Sequence, residues 1–250
     1  MKNKAGHLFP PTCPNIAIVS GILEGKIYGN LWLNSEEDAC LLTTNSPFNF
    51  MSGNVSDDFL KKALSLINIS PTSLLVHCSE QDFFHKKGLP TKLRQHFSAH
   101  PGEIKDLPEK IDNKIVKQYR LSTVNAHLFE HCSWNMRLLE FYQTKEFFLE
   151  FGYGSVLLDQ QQIIAEVYGT IGSSFFELGA FVDPKYRGIG LVPYIVAHSI
   201  KPYCLSNNLA ITASCDATNV VSQKTILRLG LNEAYHYSAL DVTKAQALIH

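Results

Sequence analysis

Residues 181–192 constrain the fold more than any other segment, because an apolar strand, a glycine-containing turn and an apolar helix follow in direct succession. The first amides of a helix have no partner within it and lie at the positive end of its dipole, so they can bind a phosphate group. Gly188 and Gly190 lack a Cβ, which lets the backbone approach such a ligand. The segment therefore predicts an anion site, although two glycines alone would also suit an ordinary turn.

Apolar periodicity in the first half predicts strands and two helices. Asp57 or Asp58 is expected to cap the first helix, which runs to Ile67, and the second helix is expected near residues 81–87. The predicted strands are 16–19, 30–33, 39–42 and 73–77.

The second half alternates strands and helices, so the chain as a whole is predicted to be mixed α/β. After a strand at 115–121, Ser122 is expected to cap helices that run to about Phe151 with a break near Ser133. Pro202 is expected to stop a helix at 189–200. The remaining predictions are strands at 155–158, 163–168, 175–182, 210–215 and 233–242, and a helix at 219–229.

A polar stretch rich in Gly and Pro at residues 100–108 divides the two halves. Such composition is typical of a connection between domains. We predict a smaller β-rich α/β domain at residues 1–105 and a second domain at residues 106–250.

Composition argues against several classes of partner and site. The formal net charge of −1 disfavours nucleic acids and anionic membranes, which are bound mainly by clustered Lys and Arg. The apolar run at 16–23 lacks a clean cleavage site, so we interpret it as a strand and not as a secretory signal, and we expect a cytoplasmic protein. The sequence contains no CxxC pair that would indicate a zinc site or a disulfide framework. The cysteines are therefore expected to be buried, reduced thiols: Cys13, Cys40, Cys78, Cys132, Cys204 and Cys215.

Two segments resemble the GNAT superfamily of N-acetyltransferases, and they follow one another in the order that is typical of the superfamily. Arg187 to Val192 is similar to its R/Q-x-x-G-x-G/A signature, with Val192 in place of the final Gly or Ala. Cys215 to Ser222, followed by Arg228 to Leu231, is similar to its later strand-loop-helix segment. The resemblance implies a sheet with two splayed central parallel strands, and acetyl-CoA as the cofactor. The implied cofactor contacts are Phe181, Val182, Arg187, Gly188, Ile189, Gly190, Leu191, Val192, Asn219 and Ser222.

The N-terminal half carries a further likeness. Leu23 to Trp32 resembles the Glu-Gly-x-x-x-Gly-x-x-Trp pattern of zwittermicin A resistance-type acetyltransferases. The acceptor expected from the family is a small-molecule or peptide amine, and a homodimer is the expected assembly.

Catalysis by such a fold requires a base, because an amine with a pKa of about 10 is mostly protonated at neutral pH. Glu177, on the strand before the turn, is the first candidate, and Glu166 on the neighbouring strand is the second. Either carboxylate could instead be a solvated or ion-paired strand residue. Ile226 occupies the position at which the family pattern has its proton-donating tyrosine, so Tyr235 or Tyr237 is the candidate general acid.

Two alternatives remain open. His127 to His131 fits the H-x-x-E-H pattern of some zinc peptidases, but the sequence provides no convincing third ligand, and we predict no metal. Val192 and Ile226 suggest a second hypothesis, a regulatory module that binds acyl-CoA and has lost turnover.

Overall fold

The computed structural model describes residues 5–68 and 70–247. These residues form one sheet of eleven strands in the order β1-β2-β3-β4-β11-β5-β10-β9-β8-β7-β6. The strands are β1 (Asn30–Leu33), β2 (Ala39–Thr43), β3 (Phe48–Gly53), β4 (Leu74–His77), β5 (Thr91–Ala99), β6 (Arg120–Thr123), β7 (Tyr153–Asp159), β8 (Gln162–Gly172), β9 (Phe175–Val182), β10 (Ala210–Asp216) and β11 (Asn232–Asp241).

Helices cover both faces of the sheet, which confirms the mixed α/β prediction. They are α1 (Ile16–Glu24), α2 (Asp57–Leu66), α3 (Phe83–Lys86), α4 (Glu109–Gln118), α5 (Ala126–His131), α6 (Asn135–Tyr142), α7 (Lys145–Phe151), α8 (Leu191–Ile195), α9 (Lys201–Ser206), α10 (Val220–Leu229) and α11 (Val242–Gln246). None of the described helices is long and apolar enough to cross a lipid bilayer.

The predicted strand at residues 16–19 is wrong, because this segment is the start of α1. Its β-branched residues favour a strand locally, but the helix buries them against the sheet. Glycines permit a close fit: a Cβ on Gly172 of β8 would lie 2.2 Å from the Ala17 carbonyl oxygen and from the Gly21 nitrogen. Tertiary packing therefore overrides local propensity here.

Two further element predictions are wrong. Most of the predicted strand at 115–121 is helix α4, in which Ile111 and Ile115 lie one turn apart on the same side, and only β6 is extended. Pro202 does not stop the preceding helix. A π-helical turn, Val196–Ile200, joins α8 to α9, and the Lys201 amide donates to the Val196 carbonyl. Pro202 is the second residue of α9, so the chain stays helical through the proline.

Two predicted helix caps also differ from the structure. Ser56, and not Asp57 or Asp58, caps α2 by accepting a hydrogen bond from the Phe59 amide. Asn125, and not Ser122, caps α5, because Ser122 is still within β6. In both cases the side-chain oxygen that caps the helix belongs to the last residue in an extended conformation before it.

Strand β5, which was not predicted, joins the two halves of the chain. It pairs with β10 on one side and β11 on the other, so the sheet continues across the predicted boundary at residues 105 and 106. The division into domains at residues 1–105 and 106–250 stays a prediction.

Three buried apolar clusters hold the layers together. The first packs α1 and α5–α7 on the sheet, the second packs α4, α8 and α10 on it, and the third packs α2, α3 and α11 on β2–β4 and β11.

The cysteine prediction is correct for four of the thiols and wrong for the other two. Cys40, Cys132, Cys204 and Cys215 are free and buried. Cys13 forms a disulfide with Cys78, with their Cα atoms 4.5 Å apart. The two are separated by 65 positions, so only the fold brings them together.

Candidate active site

The sheet opens between its two central parallel strands. β9 and β10 pair only at their beginnings, where the last matched residues are Glu177 and Thr212. β9 continues to Val182 paired with β8, while β10 continues to Asp216 paired with β5. The edge of β9 that follows Glu177 therefore faces a gap, and an extended ligand can hydrogen-bond to such an edge as an added strand.

The glycine turn follows the end of β9. Gly188 and Gly190 have φ angles of 83° and 91°, in the left-handed region that favours glycine. Gly188 is exposed, and a Cβ built on it would meet nothing within 4 Å. Among the described residues, the main-chain amides of 188–192 have no hydrogen-bond partner, as is usual where a helix begins.

The predicted cofactor residues surround this turn. The Arg187 Nε atom donates to the Val182 carbonyl at 3.2 Å, which ties the turn to the strand end. Leu191 and Val192 direct their side chains into the core, so Val192 leaves the exposed side of the turn open. Ile189 is partly exposed, and Phe181 has its ring 6.5 Å from Trp134. The open space beside the turn and the main-chain amides of 188–192, which the described residues leave unpaired, both fit a diphosphate group.

Asn219 and Ser222 begin the helix that follows β10. The Asn219 side chain accepts a hydrogen bond from the Ser222 amide at 3.1 Å, which is a helix cap. Their contact with a cofactor stays a prediction.

Glu177 lies where the two strands separate, and its side chain is almost fully buried. Its Oε1 atom accepts from the Asn15 amide group at 2.7 Å, and its Oε2 atom accepts from the Thr212 hydroxyl at 2.6 Å. The described residues give it no salt bridge to Lys or Arg. A buried carboxylate oriented by two neutral donors can act as a general base, and this role of Glu177 stays a prediction.

A chain of polar side chains supports Glu177 through Asn15. The Tyr237 hydroxyl donates to the Asn15 Oδ1 atom at 3.2 Å and accepts from the Arg94 Nε atom at 2.9 Å. Arg94 also forms an ion pair with Asp216. Burial lowers the pKa of Arg94, but Tyr237 and Asp216 outweigh this and raise it, so the cation persists. No local pattern in the sequence indicates Asn15 or Arg94, because their contacts join residues far apart in the chain.

Glu166, the second candidate base, is fully buried and already has partners. Its carboxylate accepts from the amides of Ser133 and Trp134, at 2.7 and 3.4 Å, and from the Tyr168 hydroxyl. These bonds hold the start of α6 against β8. A catalytic role for Glu166 stays a prediction.

Tyr235, the candidate acid, donates its hydroxyl proton to the Thr12 carbonyl at 2.5 Å and stacks on His96, with ring centres 5.1 Å apart. Burial raises the pKa of Tyr235. Burial lowers the pKa of His96, which keeps that imidazole neutral at neutral pH. Ile226 is in the core. No tyrosine is therefore placed at the position that the family pattern gives it.

The histidine pair on α5 has other contacts. The His131 Nδ1 atom is 2.9 Å from the His127 carbonyl oxygen, and Glu130 pairs with Lys145. Within residues 5–68 and 70–247, no group of three His, Cys, Asp or Glu side chains could hold a metal ion.

A cavity of about 390 Å³ lies on the same side of the sheet as Glu177. Glu177, Leu178 and Gly179 of β9 line it, as do Ser214 and Asp216 of β10, so the cavity reaches the gap between the strands. Its far side includes Phe48 and Leu74 from the N-terminal half. The arrangement can hold a second molecule beside a ligand in the gap.

Comparison with known proteins gives a consistent result. The chain matches the family model described as GNAT acetyltransferase over residues 10–240. It is similar to the structure of a GCN5-related N-acetyltransferase-like protein from Streptococcus suis 89/1591, at 22% identity and a TM-score of 0.69 over 95% of this chain and 96% of that one.

Two further solved structures share the fold. One is a tandem GNAT protein from the clavulanic acid biosynthesis pathway, at 12% identity and a TM-score of 0.57, covering 94% of this chain and 90% of the other. Another is a GCN5-related N-acetyltransferase from Kribbella flavida, at 10% identity and a TM-score of 0.56, covering 90% and 93%. No curated protein matches the sequence.

Proposed function

The chain belongs to the GNAT acetyltransferase family, and from that premise we propose that it transfers an acetyl group from acetyl-CoA to a primary amine by direct attack in a ternary complex. The observation that carries the proposal is the position of Glu177, buried where β9 and β10 separate and lining the cavity beside the gap. A base at this position is within reach of an amine that meets a thioester in the gap.

Bound acetyl-CoA supplies an activated thioester carbonyl. The amides of 188–192 and Arg187 would hold its diphosphate, and the edge of β9 after Glu177 would offer main-chain groups to its pantetheine arm. Contacts of this kind would present the thioester to an amine in the cavity.

The reaction balances without a covalent enzyme intermediate. The lone pair of the amine nitrogen forms the new C–N bond, the C–S bond breaks with its electrons on sulfur, and Glu177 takes the proton that the amine loses. In this scheme the sulfur takes a proton from water, and Glu177 then gives its proton to the hydroxide that is left. No tyrosine supplies the proton, because Ile226 replaces the family's tyrosine and the Tyr235 hydroxyl is bonded to Thr12.

Release of CoA from acetyl-CoA with a panel of primary amines tests the proposal, with acetyl-CoA affinity measured in parallel by calorimetry. Glu177→Gln keeps the size of the side chain and removes its basicity. We expect turnover to fall about 100-fold or more in this variant, within the range attributed to general bases, while acetyl-CoA affinity is unchanged.

A second candidate is a module that binds acyl-CoA without turnover, which the buried Ile226 favours. Tight binding of acetyl-CoA would support the module against the enzyme if no amine leads to release of CoA and Glu177→Gln does not change the rate of CoA release.

Kinship with the zwittermicin A resistance-type acetyltransferases is a finer proposal that rests on the pattern from Leu23 to Trp32. A cytoplasmic location and a homodimer are likewise proposed.

A further inference from the structure

The wall of the cavity beside Glu177 carries large apolar side chains. Phe48, Trp134, Leu138, Phe141, Tyr168 and Leu178 all line it. Trp134 lies over Gly179 of β9, where a Cβ on the glycine would be 3.0 Å from the indole, and its ring stacks on Tyr168. A wall of this kind binds apolar and aromatic groups.

Most polar side chains of the cavity already have a hydrogen-bond or ion-pair partner. Asn15 bonds to Glu177, Arg94 pairs with Asp216, and the Ser214 hydroxyl is 2.9 Å from the His96 Nδ1 atom. At the more exposed positions, Lys92 pairs with Asp241 and Arg137 with Glu140.

Thr170 is the exception. It lines the cavity and is only 8% exposed, yet among the described residues its hydroxyl oxygen has no hydrogen-bond partner. Thr170 lies directly opposite Glu177 in the antiparallel register of β8 and β9, so both side chains leave the sheet on the same face. A buried hydroxyl without a partner is unusual, and here it lies beside the candidate base.

We propose that the acceptor is a primary amine on an apolar, aromatic body, and that Thr170 is a second group that positions the amine. This inference rests on the proposed acetyl transfer. A neutral primary amine has two N–H groups: one donates to Glu177, the other donates to the Thr170 oxygen, and the nitrogen lone pair is left directed towards the thioester. The aromatic body lies against Trp134 and Phe141.

The apolar wall disfavours polycationic amines as acceptors. The cations at the cavity, Lys92, Arg94 and Arg137, are each paired with a carboxylate, so they do not decide the preference. A second or third ammonium group in the acceptor would lose its hydration against the apolar side chains of the wall, which is unfavourable.

Steady-state CoA release with 2-phenylethylamine and with spermidine tests the inference in wild type, Thr170→Val and Thr170→Ser. We expect kcat/KM for 2-phenylethylamine to exceed that for spermidine by about tenfold or more, and Thr170→Val to lose about tenfold, mainly in KM for the amine. Thr170→Ser, which keeps the hydroxyl, should stay within about twofold of wild type, and KM for acetyl-CoA should not change in either variant. Preference for spermidine, or a Thr170→Val variant equal to wild type, would overturn the inference.

A binding measurement separates this inference from the proposed transfer. The chain has two tryptophans, and Trp32→Phe leaves Trp134 as the only one. With CoA bound, 2-phenylethylamine should change the Trp134 fluorescence, and Thr170→Val should weaken this binding about tenfold. Binding without turnover contradicts the transfer and keeps the acceptor site. Turnover of spermidine without binding of 2-phenylethylamine keeps the transfer and contradicts the acceptor site.

Discussion

The Asn15 Nδ2 atom lies 2.7 Å from the Glu177 Oε1 atom, although 162 positions separate the two residues in the sequence. Asn15 has a left-handed backbone, with φ of 57°, and directly precedes α1. The N-terminal segment thus supplies a hydrogen bond to the candidate base on the central sheet.

This contact predicts the effect of Asn15→Asp, because Asp tolerates the left-handed backbone nearly as well as Asn. The new carboxylate would face Glu177 and favour its protonated form. We expect kcat/KM to fall at neutral pH and the acidic limb of the pH–rate profile to move to higher pH. Asn15→Gly, which keeps the backbone conformation and adds no charge, is the control; an equal shift in both variants would contradict the electrostatic explanation.

Tyr237 and Tyr235 form a matched pair on β11. Tyr237→Phe removes the hydroxyl between Arg94 and Asn15, so each of them loses one hydrogen bond. We expect the unfolding free energy to fall by about 1–3 kcal/mol and turnover to fall about tenfold. Tyr235→Phe removes one bond to a main-chain carbonyl and should cost less of both. Denaturant unfolding and CoA release measure the two effects. A larger loss of turnover in Tyr235→Phe would instead assign that tyrosine the role of general acid.

Glu166→Gln is expected to affect stability more than catalysis. The Glu166 carboxylate accepts two main-chain bonds and one from Tyr168, and a Gln side chain has a single acceptor oxygen. We expect a loss of about 1–3 kcal/mol in unfolding free energy, with kcat within about threefold of wild type. If kcat instead falls as far as in Glu177→Gln, Glu166 acts in the chemistry.

Two glycines of similar conformation allow a controlled test of the turn. Gly188 and Gly25 have φ angles of 83° and 78°, and at neither would a Cβ meet anything within 4 Å. Substitution of either glycine by Ala should lower the unfolding free energy by about 1 kcal/mol, because a residue with a Cβ is strained at a positive φ. Only Gly188→Ala should also raise KM for acetyl-CoA, by about tenfold, because its methyl group would crowd the diphosphate. An unchanged KM in Gly188→Ala, or an equal rise in Gly25→Ala, would count against a diphosphate site at this turn.

His77 predicts how stability depends on pH. Burial lowers the pKa of His77 to about 4, below the value of about 6.5 expected in the unfolded chain. The unfolded state therefore takes up a proton first, and folding loses stability as pH falls from about 6.5 to about 4, by up to about 3 kcal/mol from this group. Unfolding free energies of wild type and His77→Asn, compared across this range, should differ in slope; parallel curves would contradict the assignment.

The parts of the site that the sequence predicts are local. Residues 181–192 indicate a site because strand, turn and helix follow one another, and Glu177 is a candidate because it precedes that turn on the same strand. The structure places Glu177 where β9 and β10 separate.

The parts that were missed depend on tertiary contacts. The β-branched side chains of residues 16–19 predict a strand, and nothing local indicates that α1 packs closely on Gly172. Asn15, Arg94 and Thr170 belong to elements far apart in the sequence, and only the completed sheet brings them to one cavity. The disulfide between Cys13 and Cys78 is not predictable for the same reason.

A crystal structure of the chain with CoA tests the central claim most directly. We predict that the diphosphate accepts hydrogen bonds from the main-chain amides of 188–192, and that the pantetheine arm lies between β9 and β10 with its sulfur directed towards the cavity that contains Glu177. CoA bound elsewhere, or a turn at Gly188 and Gly190 that makes no contact with the diphosphate, would contradict the account.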